Sequence, residues 1–148
     1  MNDREILLTR AFDAPREVVF QAWIEPDRVA QWWGPRGFTI TTHTMDVRPG
    51  GEWRFVMHGP DGTDYENRIV YREVVPPERL VYSQGEGVGD PGQFETKVTF
   101  TERQGKTTIT MRALFVSAAE RERVIREVNA VEGGRQTLER LAEYLAGE

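Results

Sequence analysis

The sequence predicts an α+β fold in which a curved antiparallel sheet grips one long C-terminal helix, and two observations carry that expectation. The first lies between Ser117 and Glu148. There Val124, Val128, Val131, Leu138, Leu141 and Leu145 recur at steps of three to four residues, apart from one step of seven across Arg135. Arg121, Glu127, Glu139, Arg140 and Glu143 fall mostly between them, so one helical face is apolar and the other charged. The second observation is a change of period to two between Phe38 and Phe115. A helix this long has a wide apolar stripe to cover, and only that run of strands is large enough to cover it.

Glu5 to Phe12 sets Ile6, Leu8 and Arg10 against Leu7, Thr9 and Ala11, the alternation of a first strand. Asp13-Ala14-Pro15 reads as a helix start, with Asp13 or Ala14 at the cap and Pro15 in the first turn; Val19 and Trp23 share a face, with Phe20 beside them. A second short helix opens at Pro26 and is expected to carry Val29, Trp32 and Trp33 before Gly34-Pro35 stops it. Two helices this short cannot stand alone, so they dock, across an opening of the sheet.

From Phe38 the pattern puts Thr39, Thr41, His43, Met45 and Val47 on one face, up to the turn Arg48-Pro49-Gly50-Gly51. Trp53, Phe55 and Met57 then alternate with Glu52, Arg54 and His58, an inward and outward division. After the Gly59-Pro60-Asp61-Gly62 turn, Tyr65, Asn67, Ile69 and Tyr71 oppose Glu66, Arg68 and Arg72 until Pro76-Pro77. Arg79 to Gln84, Phe94 to Glu102 and Thr107 to Phe115 complete an antiparallel meander. Arg112 alternates away from Met111 and Ala113, which predicts a solvent-facing ion pair. Ser117-Ala118-Ala119-Glu120 has the spacing of a capping box and starts the final helix.

The totals narrow the function classes. At 148 residues the chain is one domain, residues 1–148, with 39% hydrophobic and 29% charged residues, as in an ordinary globular protein. Net charge is -5, and arginines are interleaved with Glu and Asp, which argues against a nucleic-acid surface. No run is apolar and long enough for membrane insertion. The first residues lack the order of a secretory signal and there is no cysteine, so a cytoplasmic location is expected.

Four stretches carry a family resemblance: Phe12-Asp13-Ala14-Pro15-Arg16-Glu17, Trp32-Trp33-Gly34-Pro35-Arg36-Gly37-Phe38, Asp46-Val47-Arg48-Pro49-Gly50-Gly51-Glu52-Trp53, and Val74-Val75-Pro76-Pro77-Glu78-Arg79-Leu80-Val81. From about Arg10 to Leu145 the chain resembles bacterial proteins with a domain like the C-terminal part of the Hsp90 ATPase activator, within the START-like, Bet v 1-like (SRPBCC) superfamily. The resemblance implies a helix-grip fold, seven antiparallel strands round the C-terminal helix, with a ligand cavity between them. The superfamily includes carriers of hydrophobic ligands, polyketide cyclases and co-chaperones, and fold alone does not choose among them. The chain has no room for the separate N-terminal Hsp90-binding domain of the eukaryotic activator, so a chaperone partner is the lesser expectation.

The chemistry-bearing residues weigh toward binding. With no Cys and only His43 and His58, expected on opposite pleat faces, no metal site is expected. Ser83 and Ser117 lack a nucleophile elbow. Gly87-Val88-Gly89-Asp90-Pro91-Gly92 matches a dinucleotide motif by letter, but a strand follows it rather than a helix, so neither that cofactor nor another is expected; the stretch reads as a hairpin loop. The interior is the stronger signal. Met45, Trp53, Phe55, Met57, Tyr65, Asn67, Tyr82 and Phe94 are expected to face the helix residues Val124, Val128 and Val131. Most such stripes are packed core. Here the polar tips of His43, Tyr65, Asn67 and Tyr82 need partners that a ligand can supply, and Gly133-Gly134 offers either room beside the helix or close packing against a strand.

The expected function is therefore binding of a small hydrophobic molecule (lipid, polyketide or flavonoid-like). Trp33, Met45, Trp53, Phe55, Met57, Phe94, Val124 and Val128 supply apolar walls, and His43, Tyr65, Asn67 and Tyr82 polar contacts. A polyketide cyclase using His43 with Tyr65, and a stress-related interaction or co-chaperone protein exposing Trp32-Trp33, are the alternatives. An edge strand or the Trp32-Trp33 region offers a surface for homodimerisation.

Overall fold

The computed structural model describes residues 5–85, 94–115, 117–119, 121–122, 125 and 130–147. Seven strands pair antiparallel: β1 (Glu5–Phe12), β2 (Thr39–Met45), β3 (Glu52–His58), β4 (Asp64–Val75), β5 (Arg79–Gly85), β6 (Phe94–Arg103) and β7 (Lys106–Phe115). Their order across the curved sheet is β1-β7-β6-β5-β4-β3-β2, so the meander β2 to β7 is sequential and β1 closes onto its far edge. The register lines up the inward residues in rows. Tyr71, Tyr82, Thr96, Ala113 and Ile6 oppose one another, as do Val74, Leu80, Val98, Met111 and Leu8. A third row is Phe100, Ile109 and Arg10.

Two short helices, α1 (Arg16–Ile24) and α2 (Pro26–Val29), cover one end of the concave face. Phe20 and Trp23 of α1 pack on Phe100 with ring centroids 5.1 and 5.9 Å away. The cap of α1 differs from expectation. Pro15 holds the cap position without a side-chain bond, and the Arg16 amide donates to Glu102 Oε1 of β6 at 2.8 Å, so the sheet supplies the acceptor expected of Asp13. Helix α2 is also shorter than its apolar pattern suggests and ends at Val29. Trp32 and Trp33 follow in a turn, before Gly34 takes a positive φ of 98°.

The C-terminal helix α3 (Ala130–Ala146) lies against the sheet through Leu138 and Leu141, which belong to the main core. Ahead of it, Ala118, Ala119, Arg121, Glu122 and Ile125 are helical, and the Arg121 amide donates to the Ser117 carbonyl at 3.1 Å, so the helical start falls at Ser117 as the sequence predicts. Glu120 of the capping box lies outside the described residues. Val131 breaks the expected stripe: it is 41% exposed. The covered face begins one turn later, at Gly134, where a Cβ would come within 2.5 Å of Leu8 Cδ1. Gly134 thus lets helix and strand approach closely, and Leu8 fills the space beside it.

Candidate ligand-binding site

An aromatic wall rises from β3 and meets the turn that follows α2. Trp53 stacks on Phe55 at 4.1 Å, and Trp33 packs edge-on against both, at 4.9 and 6.1 Å. Met45 opposes Trp53 across β2, and Trp53 Nε1 donates to Thr42 Oγ1 at 3.1 Å. The wall then runs toward solvent. Met57 is half-buried, and its cross-strand partner Tyr65 is 47% exposed beside Phe38, 6.1 Å between centroids. Five expected residues, Trp33, Met45, Trp53, Phe55 and Met57, therefore lie together, with Tyr65 at their open rim.

The other expected residues do not join them. His43 sits in a β-bulge between Thr42 and Thr44; the extra residue shifts the alternation, so Thr42 faces the wall and His43 is exposed. That position separates it from Tyr65 and removes the acid-base pair required by the cyclase alternative. Asn67 donates to the Tyr65 carbonyl at 3.2 Å and accepts from Gln84 at 3.4 Å, so its amide is engaged within the sheet. Tyr82 is buried in the core, bonded to Thr96; burial pushes its phenol, and that of Tyr71, well above the usual range. Phe94 belongs to a second cluster, its ring 4.9 Å from Phe115. Val124, Val128 and the Gly87–Gly92 motif lie outside the described residues. Trp32 and Trp33 are 0% and 8% exposed, and Trp32 Nε1 donates to the Ala22 carbonyl, so neither ring is offered to a partner.

Sequence reasoning passed over three arginines that organise this end of the molecule. Arg140 directs one terminal nitrogen, 2.9 to 3.2 Å away, at the carbonyls of Trp33, Gly34, Pro35 and Phe38, which pins that loop to α3. Arg36 completes the attachment through Glu139 and Glu143, and its bond holds the Glu143 carboxyl below the usual carboxylate range. Arg10 had a legible signal, since it alternates with Ile6 and Leu8. Its partner Ile109 is fully buried, its guanidinium carbon lies 6.0 Å from the Phe12 ring, and its Nε is buried with no acceptor among the described residues.

The profile of the family described as "Activator of Hsp90 ATPase homolog 1-like protein" matches residues 13–146. The chain belongs to this family. A search of curated proteins finds no match. Among solved structures, a Mycobacterium smegmatis protein superposes with a TM-score of 0.89 at 25% identity, over 98% of this chain and 92% of the other. A Chromobacterium violaceum protein gives 0.82 at 27% identity, covering 96% of each chain. An Arthrobacter aurescens protein, 22% identical, gives 0.90 over 99% and 88% and shows the shared fold. As a member of the Hsp90-activator homologue family the chain has the helix-grip architecture that its motifs imply. Among the described residues of this family member no group of three His, Cys, Asp or Glu could hold a metal ion, and no helix is long and apolar enough to cross a membrane.

On the convex face, a hydrogen-bonded row joins Thr41 Oγ1 to His58 Nε2 at 2.7 Å and His58 Nδ1 to Asp64 Oδ1 at 2.8 Å. With Asp64 accepting from Nδ1–H, Nε2 accepts the Thr41 hydroxyl. The second histidine is thus committed to the sheet exterior, away from the aromatic wall. Arg112 forms the expected exterior pair with Glu5, at 3.6 Å.

Proposed function

We propose that this protein binds a small, largely apolar molecule on the concave face of the sheet, beside the Trp33–Trp53–Phe55 wall, and does so in the cytoplasm. The observation that carries the reading is the continuity of that wall from a buried core, past the half-buried Met57 and Phe38, to an exposed rim at Tyr65. A ring left half in water beside other apolar groups loses solvent-exposed area when a ligand settles on it, at about 25 cal/mol per Å² covered. Membership of a family whose fold hosts ligand carriers supports the same reading, and the lack of cysteine supports the compartment.

The test starts with native mass spectrometry and a thermal-shift screen of lipids, flavonoids and polyketides, in which a binder raises the melting temperature by mass action. Tyr65→Ala then separates binding from folding. Because Tyr65 is exposed, its loss shifts stability by no more than about 0.5 kcal/mol, yet weakens a bound apolar compound about tenfold. Unchanged affinity in that variant would remove the rim from the site. If no compound binds at all, the reading fails, and stimulation of an Hsp90-type ATPase, the activity in the family's description, becomes the one to measure.

A further inference from the structure

Building on the apolar-ligand reading, we propose that the ligand carries a single carboxylate, and that Arg10 holds it between sheet and C-terminal helix. The substrate class is thus an amphipathic monoacid, a fatty or aryl carboxylic acid, rather than a neutral hydrocarbon or sterol-like molecule.

Three observations meet at Arg10. Its position is inward: it opposes Ile109, follows Leu8 by one pleat, and shares its row with Phe100, so the side chain leaves a strand whose neighbours on that face are apolar. Its Nε, which is buried, lacks a partner at contact distance among the described residues: no carboxylate or carbonyl accepts from it. A guanidinium is effectively never deprotonated, so an inward arginine cannot escape this cost by losing its proton, as a lysine could. A ligand oxygen in reach satisfies it, and an anionic oxygen does so with the stronger, charge-assisted bond.

The surroundings set the charge of that anion. Arg10 is near enough to Glu143 to help hold its carboxyl down, after the larger effect of Arg36, and Arg140 acts on the same carboxyl. Glu143 is itself committed to Arg36 at 2.5 Å. One extra negative charge therefore meets the charge of Arg10, whereas a dianionic phosphate would add repulsion from Glu143. Arginine suits the planar carboxylate because its parallel N–H groups match the two oxygens. A second buried donor, Trp23 Nε1, also has no acceptor among the described residues; Trp23 is 3% exposed and packs on Phe100, in Arg10's row. It offers a neutral donor for an oxygen on the ligand's body.

The experiment compares dodecanoate, dodecyl phosphate and 1-dodecanol by calorimetry and tryptophan fluorescence, on the whole protein and on Arg10→Met and Arg10→Lys. The expected result is at least tenfold tighter binding of dodecanoate than of the alcohol or the phosphate. Arg10→Met abolishes that preference while leaving alcohol affinity within twofold, and Arg10→Lys retains part of it. Arg10→Met is also expected to melt no lower than wild type in the absence of ligand, because a well-packed apolar side chain replaces a charged group whose Nε lacks a partner; circular dichroism confirms its fold before binding is read. Equal affinity for acid and alcohol in the wild type, tighter binding of the phosphate, or a preference that survives in Arg10→Met overturns the carboxylate assignment while the apolar site stands. Should Arg10→Met fail to fold, the wild-type comparison and Arg10→Lys decide alone. No binding of any of the three overturns the carboxylate assignment, and the screen of flavonoids and polyketides then decides the apolar site.

Discussion

Arg140 makes a loop part of a helix surface. Four carbonyls of the Trp33–Phe38 segment converge on one of its nitrogens, and burial pulls its guanidinium below the usual arginine range without emptying its charge. Carbonyls left partly buried without a donor are costly, so Arg140→Met is expected to destabilise the fold by about 1–3 kcal/mol in urea titration. Arg140→Lys restores only part, since an ammonium on a flexible stem cannot take the same approach. Nothing in the apolar periodicity marks this residue; it falls among the charged positions between the apolar ones. His43 shows the opposite failure. Strict alternation carries it to the inner face, and one extra residue in the bulge reverses that, a backbone event with no Gly or Pro to signal it. Trp53, Phe55 and Met57 were legible because β3 keeps its register throughout.

At the scale of elements, adjacent glycines in α3 behave differently. A Cβ on Gly133 would rest 3.4 Å from Pro35 Cγ, ordinary contact, whereas one on Gly134 would overlap Leu8 Cδ1. Gly133→Ala is therefore expected to raise stability by up to about 1 kcal/mol through helix propensity, while Gly134→Ala gives up that gain and loses about 1–3 kcal/mol more to overpacking. Thermal melts of the two variants check the contrast; equal gains would mean that Leu8 moves aside freely. The sequence showed an interruption of helical preference here but not its reason, because the reason is a leucine on β1, more than a hundred positions earlier. The same holds for α1, whose first amide finds Glu102 on β6. Strands and helices were readable from local periodicity; what caps and spaces them comes from far along the chain.

For the whole molecule, the seven strands, their meander and the terminal helix followed from pattern alone, since binary patterning fixes which faces must meet. The interior they enclose holds two buried phenols, Tyr71 and Tyr82, whose rings lie 6.4 Å apart. Burial raises both folded-state values above the ordinary 10.0, and the unfolded chain ionises first. Their contribution is full below pH 10 and is lost as pH rises beyond it. Stability is thus expected to fall above pH 10 by as much as about 1.4 kcal/mol per pH unit for each tyrosine. Tyr71→Phe and Tyr82→Phe flatten that slope in denaturant titrations at successive pH values; an unchanged slope would show that other groups set it. The strand order carries a consequence for how the chain is made. β2 to β7 lie side by side in the order a ribosome releases them, so each can join its predecessor as it appears. β1, made before them, must wait for β7, because Phe12 pairs with Thr107 and Glu5 with Leu114. Until those partners emerge, its apolar face is a nascent segment without a mate, and the sheet closes only once β7 has been made.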